Sequence, residues 1–381
     1  MLATHSAKLE RWLSPEVAAR LSGYMKDWYG PPISVAGVPG SVQVCGGGDF
    51  RGRIDVGSEA TANDLIAKWC GKVWRAAKRL NRRHTYAQLG QLNAGFASLS
   101  ALINAATVNG LKQDLTWNKT GPTVVVGGAF QLWQLGSWPL AGAAGAAAPG
   151  GTVPTSATTG ALPFNNVPGG SGDFNCIAGM MTQASAVNSL LLYDRLQAIA
   201  KTINSTGAEA VTGVPTRYTN TTAGQMDSIA GNFAFPVVGL TALANTAHNW
   251  ASCTYKNQAG SGATFPSVAG NPGAVATIVH RLDLPVGTWF MPLASGDTGV
   301  ASITNMQCSA LVATGLLDFV VGHPLAMIPI PIAGVLCPLD GINTDFNLNR
   351  VFDNACLSHL ILPPPATTAT TFGGSISLVA G

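Results

Sequence analysis

The sequence predicts an α+β protein in which a helical N-terminal region precedes an antiparallel β-sandwich or jelly-roll-like body. Helix-start signals and apolar residues at helical spacing occur before residue 110, whereas short apolar or Thr-rich runs separated by Gly, Pro and Asn follow it. These patterns divide the chain into three regions. They are a helical region over 1–110, β segments with a Gly/Ala-rich extended arm over 111–188, and a β-sandwich body over 189–381.

Three helices are predicted in the first region. Ser14–Glu16 combines a hydroxyl N-cap, a proline at the first helical position and an acid in the first turn, and the helix that it starts ends near Trp28. Ser58 caps a second helix that runs to about Arg83, after a Gly-rich turn over 46–50. A third helix is predicted over about Tyr86–Val108.

The second predicted helix is amphipathic and basic. Its apolar face carries Leu65, Trp69, Val73, Ala76 and Leu80. Its opposite face carries Lys68, Lys72, Arg75, Arg79, Arg82 and Arg83. The functional interpretation is contact with DNA phosphates or with an acidic patch on a neighbouring subunit. The alternative is an ordinary solvated helix face, which is the usual fate of a charge run.

The middle of the chain mixes strand signals with a low-complexity run. Val124–Val126 and Phe130–Leu135 predict strands, and Ser189–Lys201 predicts a short helix. Between them, Ala141–Asp173 consists largely of Ala, Gly, Pro, Ser and Thr and has no charge before Asp173. Because such a run cannot build its own core, we expect neighbouring subunits to hold it as an extended arm.

The last region reads as a succession of short strands. Apolar or Thr-rich runs alternate there with turn residues, at a spacing typical of a sandwich or jelly roll. The predicted strands are 216–221, 234–242, 250–257, 274–284, 288–293, 299–306, 310–321, 327–335 and 375–379.

The composition indicates a protein that associates with other molecules. Only 10% of the residues are charged, against roughly 25% in ordinary soluble domains. A free-standing globule of this size needs more charge to cover its surface, so we expect much of the surface to be buried against neighbours. The alternative is a secreted Gly/Thr-rich β protein, which can also be charge-poor. The net charge of +3 does not by itself indicate a nucleic-acid binder.

Cysteine usage and hydropathy predict a protein that is made in a reducing cytoplasm and has no membrane partner. The seven cysteines are scattered without a C-x-x-C pair, which indicates buried thiols rather than disulfides or zinc. No signal peptide is predicted at the N-terminus. Phe319–Cys337 is formally uncharged but contains three prolines, which would break a spanning helix.

No catalytic or metal-binding motif is recognisable. Nucleophile elbows, zinc-binding H-E-x-x-H helices and Walker loops are missing from the sequence, and the six histidines are isolated from one another. Asp340, Asn343 and Asp345 do not follow the order of a calcium loop. We therefore predict a non-enzymatic protein without catalytic residues, cofactor, metal or small-molecule substrate.

Five motifs carry a resemblance to a known group of proteins. They are Leu192–Leu196 (LYDRL), Val214–Thr219 (VPTRYT), Thr254–Gly260 (TYKNQAG), Met291–Val300 (MPLASGDTGV) and Arg350–Leu357 (RVFDNACL). With the five motifs in this order, the chain resembles tailed-bacteriophage virion structural proteins over about residues 190–360. The resemblance implies a β-rich component of the virion, without catalytic residues to carry over.

Two local expectations come from the same motifs. Gly296 and Asp297 predict a turn between strands. Asp194 and Arg195 are adjacent and predict a local ion pair, which contributes little if it is exposed.

The functional hypothesis is a capsid shell protein that acts by self-assembly. Its expected partners are copies of itself, other virion proteins and packaged DNA, the last through the basic helix. Two alternatives stay open. One is a decoration, minor head or tail structural protein. The other is a carbohydrate-binding or carbohydrate-processing β-sandwich similar to a tailspike.

Overall fold

The computed structural model describes most of the chain after residue 111 and short pieces before it. The described residues are 41–45, 51–55, 96, 99–107, 112–123, 126–167, 174–203, 205–239, 241–270, 279–312, 316–341, 349–362 and 369–381. The chain divides into two compact units, Met1–Gly90 and Gln91–Gly381, and the second is called the main unit below.

The first unit contains one described ladder. Strands β1 (Ser41–Cys45) and β2 (Arg51–Asp55) pair antiparallel, from Ser41 opposite Asp55 to Cys45 opposite Arg51. Neither strand is among the predicted elements. The helices predicted over 14–28 and 58–83 and the turn predicted over 46–50 lie outside the described residues.

The described part of the chain contains a single helix, which lies within the range of the third predicted helix. This helix, α1 (Leu99–Thr107), packs Leu102 and Ala105 against Cys176 and Val379 of the main unit. The end predicted near Val108 lies outside the described residues.

The main unit is built mostly from antiparallel sheets, which confirms the β-rich, sandwich-like prediction. Sheet I has the strand order β10-β16-β8-β19-β4, and β6 pairs with β8 in parallel. Its strands are β4 (Phe130–Gln131), β6 (Ala146–Ala147), β8 (Asn188–Thr202), β10 (Phe233–Val238), β16 (Leu316–Ile330) and β19 (Leu357–Ile361).

Strand β8 corrects a prediction, because residues 189–201 form a strand and not a helix. Nearly every side chain of β8 is buried, since sheet I is covered on both faces. A strand of this kind reads as a continuous apolar run, which periodicity alone does not distinguish from a buried helix. The long ladders with β16 and β19 decide for the strand.

Sheet II has the order β17-β7-β20-β3-β5, with β18 pairing β7. Its strands are β3 (Lys112–Thr120), β5 (Ser137–Trp138), β7 (Asn175–Ala184), β17 (Cys337–Asp340), β18 (Arg350–Val351) and β20 (Thr371–Ala380). Because β20 lies between β3 and β7, residues assigned to 111–188 and to 189–381 pair within one sheet. These two predicted regions therefore share one fold.

The two sheets enclose a common core. Trp117 of β3 stacks on His359 of β19 with ring centroids 4.0 Å apart, and Phe130 of β4 lies 6.1 Å from Phe372 of β20. Such contacts join the inner faces of sheets I and II into a sandwich. The jelly-roll connectivity stays a prediction.

Two smaller sheets complete the described part of the main unit. One has the order β13-β12-β15-β9, and the other pairs β11 with β14. Their strands are β9 (Glu209–Ala210), β11 (Asn249–Trp250), β12 (Thr254–Asn257), β13 (Gly262–Thr264), β14 (Val268–Ala269) and β15 (Val300–Met306). Two of the predicted strands do not form, because these residues make no extended ladder. They are Thr216–Thr221 and Thr288–Leu293.

The Gly/Ala-rich run differs from the expected arm, because its own chain holds residues 141–167. The amide of Gly145 donates to Asp318 at 2.7 Å, and Thr152 exchanges two backbone hydrogen bonds with Ala198. Further along, the amide of Leu162 donates to the carbonyl of Leu357. A run with few large side chains can lie flat on a finished sheet, and the sheet supplies most of the core that the run cannot build alone.

Candidate functional site

Three of the five resemblance motifs meet at one buried ion pair. The guanidinium of Arg217 donates from Nε and Nη2 to the two carboxylate oxygens of Asp194, at 2.7 and 2.8 Å. The backbone amide of Cys356 donates to Asp194 Oδ1 at 2.7 Å. Arg217, Asp194 and Cys356 are almost fully buried and are called the central clamp below.

Arg217 also fixes the Gly/Ala-rich run. Its Nη2 donates to the carbonyl of Pro154 at 2.9 Å and to that of Arg195 at 3.2 Å. Burial alone lowers the pKa of Arg217, but hydrogen bonds and charge from Asp194 outweigh it and raise the pKa above its ordinary value. The guanidinium is therefore a permanent cation that ties three chain segments together, around residues 154, 194 and 217.

Arg195 does not form the predicted pair with Asp194. Neighbouring residues of a strand point to opposite faces, so the two side chains separate. The guanidinium of Arg195 lies 3.8 Å above the ring of Trp133 and donates to Cys356 Sγ at 3.2 Å. Asp194 is left free to bind Arg217, which is 23 residues away.

An aromatic stack adjoins the central clamp in sequence. The ring of Tyr218 stacks on His323 at 3.7 Å, and its hydroxyl donates to the carbonyl of Arg350 at 2.7 Å. Nδ1 of His323 lies 2.7 Å from Oδ1 of Asn232. Burial lowers the pKa of His323 to about 3, so the imidazole is neutral at neutral pH and serves packing.

The other two motifs meet in a second polar cluster. The hydroxyl of Tyr255 donates to Oδ2 of Asp297 at 2.5 Å, and Asn257 Nδ2 donates to Oδ1 at 2.8 Å. Burial and the hydrogen bond to Asp297 raise the pKa of Tyr255 to about 12. The turn predicted at Gly296 is present, with φ of 88° and a backbone bond from Asp297 to Ala294. The carboxylate of Asp297 therefore holds the two motifs together.

Sequence reasoning misses a buried histidine–aspartate pair. His248 Nε2 lies 2.7 Å from Asp283 Oδ2, which also accepts a bond from Trp250 Nε1 at 3.0 Å. Nδ1 of His248 lies 2.8 Å from the carbonyl oxygen of Thr246. A ring with acceptors at both nitrogens has no lone pair to offer a substrate proton, so the pair does not have the geometry of a general base. The partners are 35 residues apart and form no motif.

The same geometry shifts the pKa of His248. Burial lowers its pKa, but the hydrogen bond and charge of Asp283 and the carbonyl of Thr246 outweigh burial and raise the pKa. The pair therefore resembles a buried salt bridge more closely than a catalytic dyad.

Within the described residues, no group of three His, Cys, Asp or Glu side chains is placed to hold a metal ion. The basic face predicted to contact DNA or a neighbour lies outside the described residues. Its members are Lys68, Lys72, Arg75, Arg79, Arg82 and Arg83.

Charge is distributed unusually in the main unit. From Lys112 to Asp353 the described residues include seventeen Asp, Glu, Lys and Arg, of which eight are buried. The buried eight are Lys119, Asp194, Arg195, Lys201, Arg217, Arg281, Asp283 and Asp318. Charged side chains are rarely buried in soluble proteins. The described exterior is thus even poorer in charge than the composition indicates.

The single helix of the described part, α1, has nine residues and is too short to cross a membrane.

No family model and no curated protein matches the chain. Among solved structures, the infectious bursal disease virus VP2 subviral particle aligns at 9% identity over 70% of this chain and 80% of that chain, with a TM-score of 0.13. The Gt strain of the same virus aligns at 10% identity over 71% and 80%, with a TM-score of 0.14. Scores this low carry no argument about fold or function.

Proposed function

We propose that this chain is a non-enzymatic structural protein of a bacteriophage particle, a capsid shell component that acts by self-assembly. The observation that carries the proposal is the distribution of charge, since nearly half of the described charged residues of the main unit are buried. An exterior with so little charge is unfavourable for an isolated protein in water and favourable at the contacts of a symmetric assembly.

The roles of the five motifs agree with this proposal. In the described part their polar residues bind one another and close the fold, as Arg217 with Asp194 and Tyr255 with Asp297. Residues that work in this way specify a rigid building block. Tailed-bacteriophage virion structural proteins are the group that these motifs resemble.

The basic helix predicted over about 58–83 is the proposed contact for packaged DNA. Nine of the 21 Lys and Arg residues lie between Arg51 and Arg83, with three acidic residues among them. Phosphate binding needs such local positive charge and no sequence-specific readout.

Size is the direct test of the proposal. Purified full-length protein is run on size exclusion with light scattering and viewed by negative stain at rising concentration. We expect large assemblies or pieces of a lattice, present at neutral pH and retained in moderate salt because the contacts are largely uncharged. A stable monomer that binds or cleaves polysaccharide would overturn the proposal and favour the tailspike-like alternative.

A further inference from the structure

Two connections between sheets I and II lie side by side at one end of the sandwich. The β7–β8 connection (185–187) and the β16–β17 connection (331–336) are joined by a backbone hydrogen bond from Gly334 to Ala184. On either side, Ile330 pairs with Asn188 and Cys337 pairs with Thr182. The two connections therefore lie at the same end of the four strands β7, β8, β16 and β17.

This end exposes aliphatic side chains. Ile332 is 58% exposed, and the other four are between 42% and 48% exposed. The set is Met181, Val187, Ile332, Val335 and Leu336, called the tip patch below. Met181 belongs to it because β7 pairs it with Pro338, two residues after Leu336.

The tip patch has no charge of its own. The two segments that contain it, 174–193 and 324–339, include no Asp, Glu, Lys or Arg. The next charges along them are the buried Asp194 and the exposed Asp340. Exposed apolar patches that are poor in charge mark binding surfaces in soluble proteins.

The size of the tip patch suits a specific interface. The five side chains expose roughly 400 Å² of apolar surface, and the exposed prolines and Ala333 beside them bring it to about 600 Å². Two apposed patches would bury about 1,200 Å², which is the lower end of stable protein–protein interfaces.

The chemistry of the patch favours a protein surface over a lipid surface. Segments that enter a membrane interface carry Trp or Tyr, and Lys or Arg contacts the headgroups. The two connections contain none of these residues. Aliphatic side chains that are depleted of charge are instead typical of the core of a homo-oligomeric interface.

We infer that the tip patch is a contact between two copies of this chain, and this inference rests on the proposed self-assembly. The occupant of the patch on one copy is the apolar end of another copy. Isologous pairing satisfies this with a single surface, because the same residues meet across a two-fold axis.

The test compares two charge-introducing double variants of the full chain. Ile332→Lys/Leu336→Lys places two cations in the tip patch. Val214→Lys/Val286→Lys places them at exposed apolar side chains outside the patch, with similar exposures of 53% and 56%. Sedimentation velocity at several concentrations measures assembly, and far-UV circular dichroism with a thermal melt confirms folding. The single variant Val335→Lys repeats the test if the double variant does not fold.

We expect the patch variant to assemble only at a protein concentration about tenfold or more above that of the wild type. The control variant should sediment like the wild type. If the wild type, the patch variant and the control variant assemble equally, the inference is overturned and the proposed function still stands. A wild-type chain that stays monomeric at every concentration overturns both. Flotation of the wild type, but not of the patch variant, with phosphatidylcholine–phosphatidylserine vesicles would show a lipid surface as the occupant and overturn the inference.

Discussion

Around Asp194 the chain buries a carboxylate between a bidentate guanidinium and a backbone amide, whereas around Ile332 it exposes aliphatic side chains in an uncharged stretch of chain. Soluble proteins usually arrange these groups the other way round. In the central clamp, each polar atom of Asp194 has a partner, so the clamp selects one arrangement of the chain. In the tip patch, the apolar surface is left for a contact outside the chain. Ion pairs specify the fold, and apolar surface is available for association.

The largest effect is expected from opening the central clamp. Arg217→Ala leaves the buried carboxylate of Asp194 without its counter-ion and should lower the free energy of unfolding by about 3–5 kcal/mol. Urea unfolding monitored by tryptophan fluorescence measures the loss. Lys112→Ala is the control, because the Lys112–Asp114 pair is 41% and 53% exposed and should contribute less than about 1 kcal/mol. Equal losses in the two variants would show that the clamp does not differ from a surface pair.

Acid should lower the free energy of unfolding through two buried histidines of the main unit. Burial lowers the pKa of His280 to about 4 and, together with Lys119, that of His359 to about 3, below the ordinary value of about 6.5. Between these values the unfolded chain binds protons that the folded chain does not, so stability falls as the pH falls below about 6.5. At pH 5 each of the two should cost about 2 kcal/mol. The urea midpoint measured from pH 7 to pH 4.5 gives this slope.

His359→Phe sharpens the acid experiment. The imidazole stacks on Trp117, and its Nε2 has no hydrogen-bond partner in the described part, so a phenyl ring can take its place. The variant should lose about one proton from the pH dependence of stability. His248 acts in the opposite direction, because its pKa is raised and its contribution is lost as the pH rises through that value. A pH profile unchanged in His359→Phe would contradict the assignment.

A smaller effect is expected where the Gly/Ala-rich run meets the sheet. A Cβ at Gly145 would lie 2.4 Å from the carbonyl oxygen of Ala198, so Gly145→Val must displace the run and should cost about 1–3 kcal/mol. Gly136→Val is the control, because a Cβ there meets nothing within 4 Å. Limited proteolysis within 141–167 should be faster in Gly145→Val only. Equal cleavage of wild type and both variants would mean that the run is not held by its own chain.

The smallest effect on stability is expected at the basic face. Lys72→Glu/Arg75→Glu/Arg79→Glu reverses three charges on a predicted helix surface, and we expect unchanged melting of the main unit. If the face contacts DNA, binding should weaken at every sequence and its salt dependence should fall by about three units of log–log slope. Filter binding at several salt concentrations measures both. If DNA binding and particle yield are both normal, the alternative interpretation holds, in which the basic residues form an ordinary solvated helix face.

Prediction from sequence was successful where the pattern is local. The runs at 234–242, 299–306 and 375–379 predict strands that the structure has as β10, β15 and β20, with shifted ends. The strand prediction failed for β8, because burial on both faces removes the alternation that marks a strand. It also missed β3, whose alternating Leu115, Trp117 and Lys119 combine a buried cation with apolar neighbours. Lys119 is buried because its ammonium donates to the carbonyl oxygens of Leu135 and Pro139, which no sequence pattern shows.

By itself the sequence determined the charge-poor, glycine-rich character of the chain, the β-rich class of its larger part and the five motifs, because composition and short-range pattern express these directly. Only the tertiary structure decided that Asp194 binds Arg217 instead of Arg195, that the run over 141–167 lies on its own chain, and that the uncharged connections at 185–187 and 331–336 form one surface. These are pairings between residues far apart in the chain. Their energies depend on burial and geometry, which appear only after the sheets have brought the segments together.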